Sequence, residues 1–241
     1  MKALILNSGM GTRMGKYTRE HPKCMTDLRD GETIISRQLK MLLNCGITDV
    51  VITTGYFNDV LMNYCKSLNL SLKYEFVLNP IYNETNYIYS IYCAKDLLKG
   101  DDIVLMHGDL VFDESVLCDI LSFDKSCMKV SSTLPLPEKD FKAVIDNGLV
   151  KKIGVEFFEN AMEAQALYKL NSNDWKIWLD KIIEFCETDK RKCYAEVAFN
   201  QISDNCSIYA YDVQDRLCAE IDTPEDWVSI LNKLARSKSK G

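Results

Sequence analysis

Apolar and polar positions follow two rhythms along the chain. "KALIL" (2–6), "DVVITT" (49–54), "LKYEFV" (72–77) and "DIVLM" (102–106) are short apolar runs bounded by turn residues, the pattern of buried strands. Between them, "ETIISRQLKMLLNCG", "NDVLMNYCKSL" and "NYIYSIYCAKDLLKG" repeat apolar positions at helical spacing, with Gly46 placed to stop the first helix. Strand and helix in alternation imply βαβ crossovers and a mostly parallel sheet. After about residue 125 the rhythm changes. "MKVSSTL", "FKAVID" and "LVKKIGV" read as meandering strands, with Asn147-Gly148 as a hairpin turn. "AQALYKL" is a further strand, "NDWKIWLDKIIEFCE" a helix and "CSIYAYDV" a strand. A last helix follows "DTPED", capped by Thr223 or Asp222 with Pro224 in its first turn. The polar ending "RSKSKG" reads as a disordered tail over 236–241. With no repeat, low-complexity linker or boundary, one domain over 1–235 is expected.

Composition narrows the class. The 241 residues, 47% hydrophobic and 27% charged, suit one large α/β domain with a proper core. No apolar run approaches the roughly 18 residues that span a bilayer, and "KALIL" is too short for a signal peptide. None of the ten cysteines forms a CxxC pair, so reduced, buried thiols in a cytoplasmic protein are expected rather than disulfides or zinc. A net charge of −6 argues against general nucleic-acid binding. Any anionic ligand must then be held by a few local cations.

Those cations stand beside a glycine turn, "GMGTRMGK", directly after the first strand. A P-loop needs four residues between its glycines and Ser or Thr after the lysine. Here five residues separate Gly9 from Gly15, and Tyr17 follows Lys16. A dinucleotide fingerprint fails too, because its third glycine is displaced by one and an arginine sits inside the turn. What remains is G-x-G-T-R followed, nine residues after Arg13, by Pro22-Lys23. Gly9 and Gly11 let backbone N–H groups approach phosphate oxygens. Arg13 can bridge the β- and γ-phosphates of a nucleoside triphosphate with its planar fork, and Lys23 offers a point charge near the α-phosphate. A plain turn with two solvated cations is the simpler alternative, but strand, GxGTR and Pro-Lys together outweigh it.

"LNSGMGTRM…HPKCM" resembles the opening of the nucleotidyltransferases that make nucleotide-sugars and related CDP-compounds, and "GITDVVITTGY", "NPIYNETNYIYSIYCAKDLL", "VLMHGDLVFD" and "AEIDTPEDW" follow in that family's order. The likeness covers nearly the whole chain and is nearest to small cytidylyltransferases of the phosphocholine type. Asn7-Ser8 stands where many relatives carry Ala-Ala or Ala-Gly. The resemblance implies a Rossmann-like α/β fold, its mixed, mostly parallel sheet flanked by helices. It also implies a nucleotide-binding half over 1–125 and an acceptor and metal half over 126–235, with a small β-meander and helical region. The implied partners are CTP and a small phosphorylated or phosphonate acceptor, with no nucleic acid and no membrane, in a monomer or homodimer.

Asp109 closes "DIVLMHGD" at the sheet's carboxyl edge, where α/β ligands bind. Glu220 and Asp222 are two apart on an extended segment and so share a side. In the resembling family the acids matching Asp109, Glu220 and Asp222 hold the metal, and Mg2+ suits such carboxylates with substrate phosphates. The implied reaction is attack of an acceptor oxygen on the α-phosphorus of CTP, with Arg13, Lys23 and Asp109 as catalytic residues. Such a nucleophile is already anionic, so no general base is needed, and the two histidines read as structural (His107) and loop (His21). Leu6, Ser8, Gly9, Met10, Gly11 and Thr12 line the phosphate turn. Thr54, Gly55 and Tyr56 are placed to face the base, and Asn83, Thr85 and Asn86 to bond pyrimidine or ribose, with helix capping an even alternative for Thr85 and Asn86. Lys142 is a weaker phosphate candidate. Tyr168, Tyr194 and Glu196 are expected on the acceptor side, where aromatic faces and carboxylates suit an ammonium. Glu196 is the residue expected to contact the ammonium, although an exposed helix position is the simpler account, and for Trp175 and Trp178 core packing is. Sugar-1-phosphate nucleotidyl transfer is the alternative. A glycosyltransferase would show Asp-x-Asp where this chain has "HGD", and a silent nucleotide-binding module would not retain both cations and all three acids.

Overall fold

The computed structural model describes the chain from residue 1 to residue 238. Its elements run β1 (Lys2–Asn7), two 3-10 turns (Thr12–Thr18 and Lys23–Met25), α1 (Ile34–Asn44), β2 (Asp49–Thr54), α2 (Asn58–Ser67), β3 (Lys73–Leu78), α3 (Tyr87–Leu98), β4 (Ile103–His107), β5 (Leu110–Phe112) and α4 (Glu114–Ser122). There follow β6 (Cys127–Ser131), β7 (Lys142–Asp146), β8 (Leu149–Gly154), β9 (Ala161–Leu170), α5 (Ser172–Glu187), α6 (Ala195–Phe199), β10 (Tyr209–Asp212), β11 (Cys218–Glu220) and α7 (Pro224–Lys238).

Nine strands form one mixed sheet in the order β3-β2-β1-β4-β9-β6-β10-β8-β7, and β5 pairs with β11 in a separate ribbon. β1 lies parallel to β2 and β4. Covered on both faces, it reads as an unbroken apolar run rather than an alternating one. Leu4 and Leu6 face the core under α3, α5 and α6, while Ala3 and Ile5 face the core under α1, α2 and α4. β9 runs antiparallel to both β4 and β6, which joins the parallel half to the meander. The hairpin between β7 and β8 turns at Asn147 (φ 50°) and Gly148 (φ 78°), the left-handed pair that a two-residue turn requires.

Caps fix the helix starts. Thr33 and Ser36 exchange bonds in a capping box at α1, and the Asn86 side chain accepts the Tyr87 N–H at α3. At α7 Thr223 accepts the Asp226 N–H, and the Asp226 carboxylate accepts the Thr223 N–H, so Thr223 rather than Asp222 is the cap. Trp175 and Trp178 are fully buried and donate to the Leu98 and Ala195 carbonyls. Two features depart from the sequence pattern. α4 and the β5–β11 ribbon were not expected, and α7 continues to Lys238 over the start of the expected 236–241 tail. Residues 239–241 lie outside the described residues.

Candidate active site

The carboxyl ends of β1, β2 and β4 meet at one sheet edge, where loops can converge on a ligand. A cavity of about 400 Å3 opens there. After β1 the chain turns through Gly11, whose φ of 62° is left-handed, and a Cβ at this position would meet the Lys23 side chain at 3.2 Å. Glycine thus serves both the turn and the approach of Lys23. Leu6, Ser8, Gly9, Met10, Gly11 and Thr12 line the cavity with Arg13 and Lys23, and Thr85 and Asn86 line it from the start of α3. Asn86 is also the helix cap, and the Thr85 hydroxyl donates to the Ile81 carbonyl.

Other expected nucleotide contacts stand off the wall. Thr54 is buried with its hydroxyl 2.6 Å from Asn58 Oδ1, Gly55 packs against the Ser8 carbonyl and the Tyr82 ring, and Tyr56 and Asn83 are exposed. Lys142 needs a correction. Its ammonium is buried and donates to the Pro137 and Asp140 carbonyls, so its stem braces the 137–141 loop instead of reaching a phosphate.

The cations and acids of the two halves form one network. Lys23 Nζ lies between the Asp109 and Asp222 carboxylates, 2.6 Å from Asp222 Oδ1, and Arg13 reaches Asp222 at 2.9 Å. His107 Nδ1 is 3.0 Å from Glu220 Oε1. Burial disfavours charge on Lys23, yet the two carboxylates hold its pKa above the ordinary lysine value. Burial also opposes charge on Asp109, but Lys23 and then His107 keep its carboxyl below the usual range. Glu220 is pushed up by burial and by the Asp109 charge. Against its own burial, His107 is raised to about 9 by the Glu220 hydrogen bond and charge.

Beyond the acids the wall is aromatic. Tyr87 stacks on Tyr194 at 5.8 Å and meets the His107 ring edge-on at 4.7 Å, and Phe141 meets Tyr194 at 5.2 Å. Behind it Glu196, 1% exposed, accepts the Tyr87 and Tyr168 hydroxyls, the latter at 2.8 Å. An exposed helix position for Glu196 is therefore incorrect, because two tyrosines satisfy its charge inside the core. Tyr194 lines the cavity, whereas Tyr168 and Glu196 are buried against each other and do not, so direct acceptor contact by Tyr168 and Glu196 is corrected to support of the wall through Tyr87.

The sequence model of the MobA-like NTP transferase domain matches residues 3–125, from β1 through α4. The chain belongs to the MobA-like NTP transferase family. Among relatives of this NTP transferase is a CTP:phosphoglutamine cytidylyltransferase of Campylobacter jejuni, 28% identical over 64% of this chain and 65% of that protein. The match thus spans just under two thirds of that relative's length. A choline-phosphate cytidylyltransferase of Haemophilus influenzae is 25% identical over the full length of both chains. The solved CTP:phosphocholine cytidylyltransferase of Streptococcus pneumoniae superposes with a TM-score of 0.77 over 97% of this chain and 98% of its own, at 19% identity, and so shares the α/β fold.

The acids of this NTP transferase suit a hard divalent cation. His107, Asp109 and Glu220 offer atoms within 4.8 Å of one another, as do Asp140, Glu220 and Asp222. Asp109 Oδ1 is buried with no hydrogen-bond partner, an acceptor awaiting a cation. Oxygen donors dominate, and the His107 ring holds Glu220 by their hydrogen bond. Sequence reasoning missed Asp140, Tyr87 and Phe141. "KDFKAV" held the signal for two of them, since Lys142 pins the loop that turns Asp140 and Phe141 inward. Among the described residues no helix is long and apolar enough to cross a membrane.

Proposed function

We propose that this NTP transferase is a Mg2+-dependent cytidylyltransferase joining the CMP unit of CTP to a small phosphate or phosphonate that bears an amine or quaternary ammonium. One observation carries the reading: Arg13, Lys23, Asp109 and Asp222 meet in a cavity that Tyr87, Phe141 and Tyr194 also wall.

An acceptor oxygen attacks the α-phosphorus, the bond to the pyrophosphate bridging oxygen breaks, and pyrophosphate leaves with its negative charge. The nucleophile is anionic near neutral pH, so positioning and charge neutralisation do the work. The Gly9–Gly11 backbone and Arg13 hold the β- and γ-phosphates, and Lys23 steadies the α-phosphate. Asp109, Glu220 and Asp222 would hold Mg2+, which when bound supplies positive charge to the phosphates. The nucleotide then occupies mainly the half formed by 1–125 and the acceptor mainly the half formed by 126–235, with Tyr87 of the first half completing the acceptor wall. Aromatic faces backed by the Glu196 carboxylate suit a cation, whereas sugar hydroxyls call for neutral hydrogen-bonding groups. The two curated cytidylyltransferase relatives support the choice of CTP. Ten free cysteines support a cytoplasmic setting.

A pyrophosphate-release screen tests the reading, with each of the common nucleoside triphosphates against phosphocholine, 2-aminoethylphosphonate, phosphoglutamine and glucose 1-phosphate. CTP with an amine-bearing acceptor is expected to dominate. Preference for glucose 1-phosphate would overturn the acceptor assignment, and preference for another nucleotide the assignment of CTP.

A further inference from the structure

Gln38 carries no charge and does not line the cavity, yet its side chain ties the acids together. It sits on α1, 1% exposed, and its Nε2 donates to the His107 carbonyl at 2.9 Å and to the Leu110 carbonyl at 2.8 Å. Those residues flank Gly108–Asp109, the turn from β4 to β5. Both also reach Glu220: the His107 ring by its hydrogen bond at 3.0 Å, and Leu110 as the partner of Glu220 in the β5–β11 ribbon. One amide group therefore spans the backbone on either side of Asp109 and, through those neighbours, sets the position of Glu220.

The rest of the turn is fixed in ways that leave this role to Gln38. The Gly108 N–H donates to the Leu6 carbonyl and the Ile221 N–H to the Asp109 carbonyl, both at 3.0 Å, which anchors the turn to β1 and to the segment after β11. Gly108 packs so tightly on Asn7 that a Cβ there would fall 1.6 Å from Asn7 Oδ1. Without Gln38 the His107 and Leu110 carbonyls lose their α1 donor, and the bond from α1 that remains, Arg37 to the Phe112 carbonyl, lies at the far end of β5 from the turn.

We propose that Gln38 is a positioning residue: by chelating the His107 and Leu110 carbonyls it aims the Asp109 and Glu220 carboxylates at a common divalent cation. This rests on the proposed metal-dependent reaction. Residues that orient metal ligands typically change metal affinity or activity by about 10–100-fold when replaced.

The test uses the full chain and Gln38→Met, which keeps the length and apolar packing of the stem and cannot donate. Mn2+ and CTP are titrated together into the protein without acceptor, and protein-bound Mn2+ is read by water-proton relaxation enhancement. Pyrophosphate release is measured in parallel. Mn2+ binding about tenfold or more weaker, kcat down by a similar factor, KM for CTP within about twofold and partial recovery at high Mn2+ are expected. A lowered melting temperature with unchanged Mn2+ affinity and kcat would mean that Gln38 is only structural, and the proposal would be overturned. If Gln38→Met does not fold, Gln38→Asn, whose amide sits one methylene short of the carbonyls, is read by the same titration. Weakened binding supports the clamp, and wild-type binding overturns it. Mn2+ binding by the wild type without pyrophosphate release from any acceptor would overturn the reaction and leave the clamp to be judged by the titration alone. No Mn2+ binding by the wild type would overturn both.

Discussion

Asp109→Asn separates the chemistry of the site from its contribution to stability. The substitution keeps the shape of the side chain and leaves the backbone bonds from Gly108 to Leu6 and from Ile221 to Asp109 intact. Lys23 loses one carboxylate partner but retains Asp222 at 2.6 Å, and the new amide oxygen still accepts from it. Glu220, pushed up by burial and then by the Asp109 charge, is relieved of part of that repulsion. Breaking a fully buried ion pair costs about 3–5 kcal/mol. With a partner kept and a repulsion removed, about 1–2 kcal/mol is expected, a fall in Tm of about 2–8 °C for a chain of this size. Activity responds far more strongly, because a charged ligand facing the phosphates is lost. A drop of about a thousandfold in kcat, equivalent to ~4 kcal/mol of barrier, is expected. Differential scanning fluorimetry and a coupled pyrophosphate assay read the two effects on one preparation. Activity within tenfold of wild type would refute the assigned role, and a Tm loss well beyond 10 °C would show that Asp109 mainly holds the fold.

Lys23→Ala and Arg13→Ala are each expected to slow turnover by about 2–4 kcal/mol of barrier and to raise KM for CTP; unchanged steady-state parameters in both would return the glycine turn to an ordinary loop. Glu196→Gln leaves one acceptor oxygen for the two hydroxyls that use separate carboxylate oxygens, so one tyrosine must accept from the new amide N–H and the charge-assisted strength of both bonds is lost; a Tm lower by a few degrees and a raised KM for an ammonium-bearing acceptor are expected. An unchanged acceptor KM would confine Glu196 to the core. Burial raises the Cys65, Cys127 and Cys218 thiols to about 12 from the usual 9. Above about pH 9 they ionise in the unfolded chain first, so the unfolded state binds fewer protons and stability falls as pH rises towards 12. Melting in reducing buffer at pH 8, 9 and 10 is expected to show a steepening loss, and a flat profile would contradict it.

The parallel half of the sheet was legible because β1, β2 and β4 bury both faces and so stand out as apolar runs bounded by turn residues. α4 and the β5–β11 ribbon were not. β5 and β11 are three residues each, too short for any period to register, and a single residue, Asp113, separates β5 from α4. The cations and acids of the site were readable from loop chemistry and spacing, since Arg13, Lys23, Asp109, Glu220 and Asp222 all lie at strand ends or in turns. What joins them was not, because the Lys23–Asp222 contact spans 199 residues. The same limit explains Glu196. A charge in a short helix is ordinarily exposed, and only hydroxyls 109 and 28 residues away in sequence allow it to be buried. Lys142 misled for the opposite reason: its neighbours Asp140 and Phe141 face the cavity, while its own ammonium turns back onto the loop.

The central claim is that CMP is transferred to an amine-bearing phosphate or phosphonate. Phosphorus-31 NMR of the purified full chain with CTP, Mg2+ and phosphocholine or 2-aminoethylphosphonate tests it most directly. The account predicts pyrophosphate together with a new phosphoanhydride resonance coupled between the CMP phosphorus and the acceptor phosphorus, absent in Asp109→Asn. An anhydride that forms only with glucose 1-phosphate, or no anhydride with any acceptor under conditions where CTP binds, would contradict it.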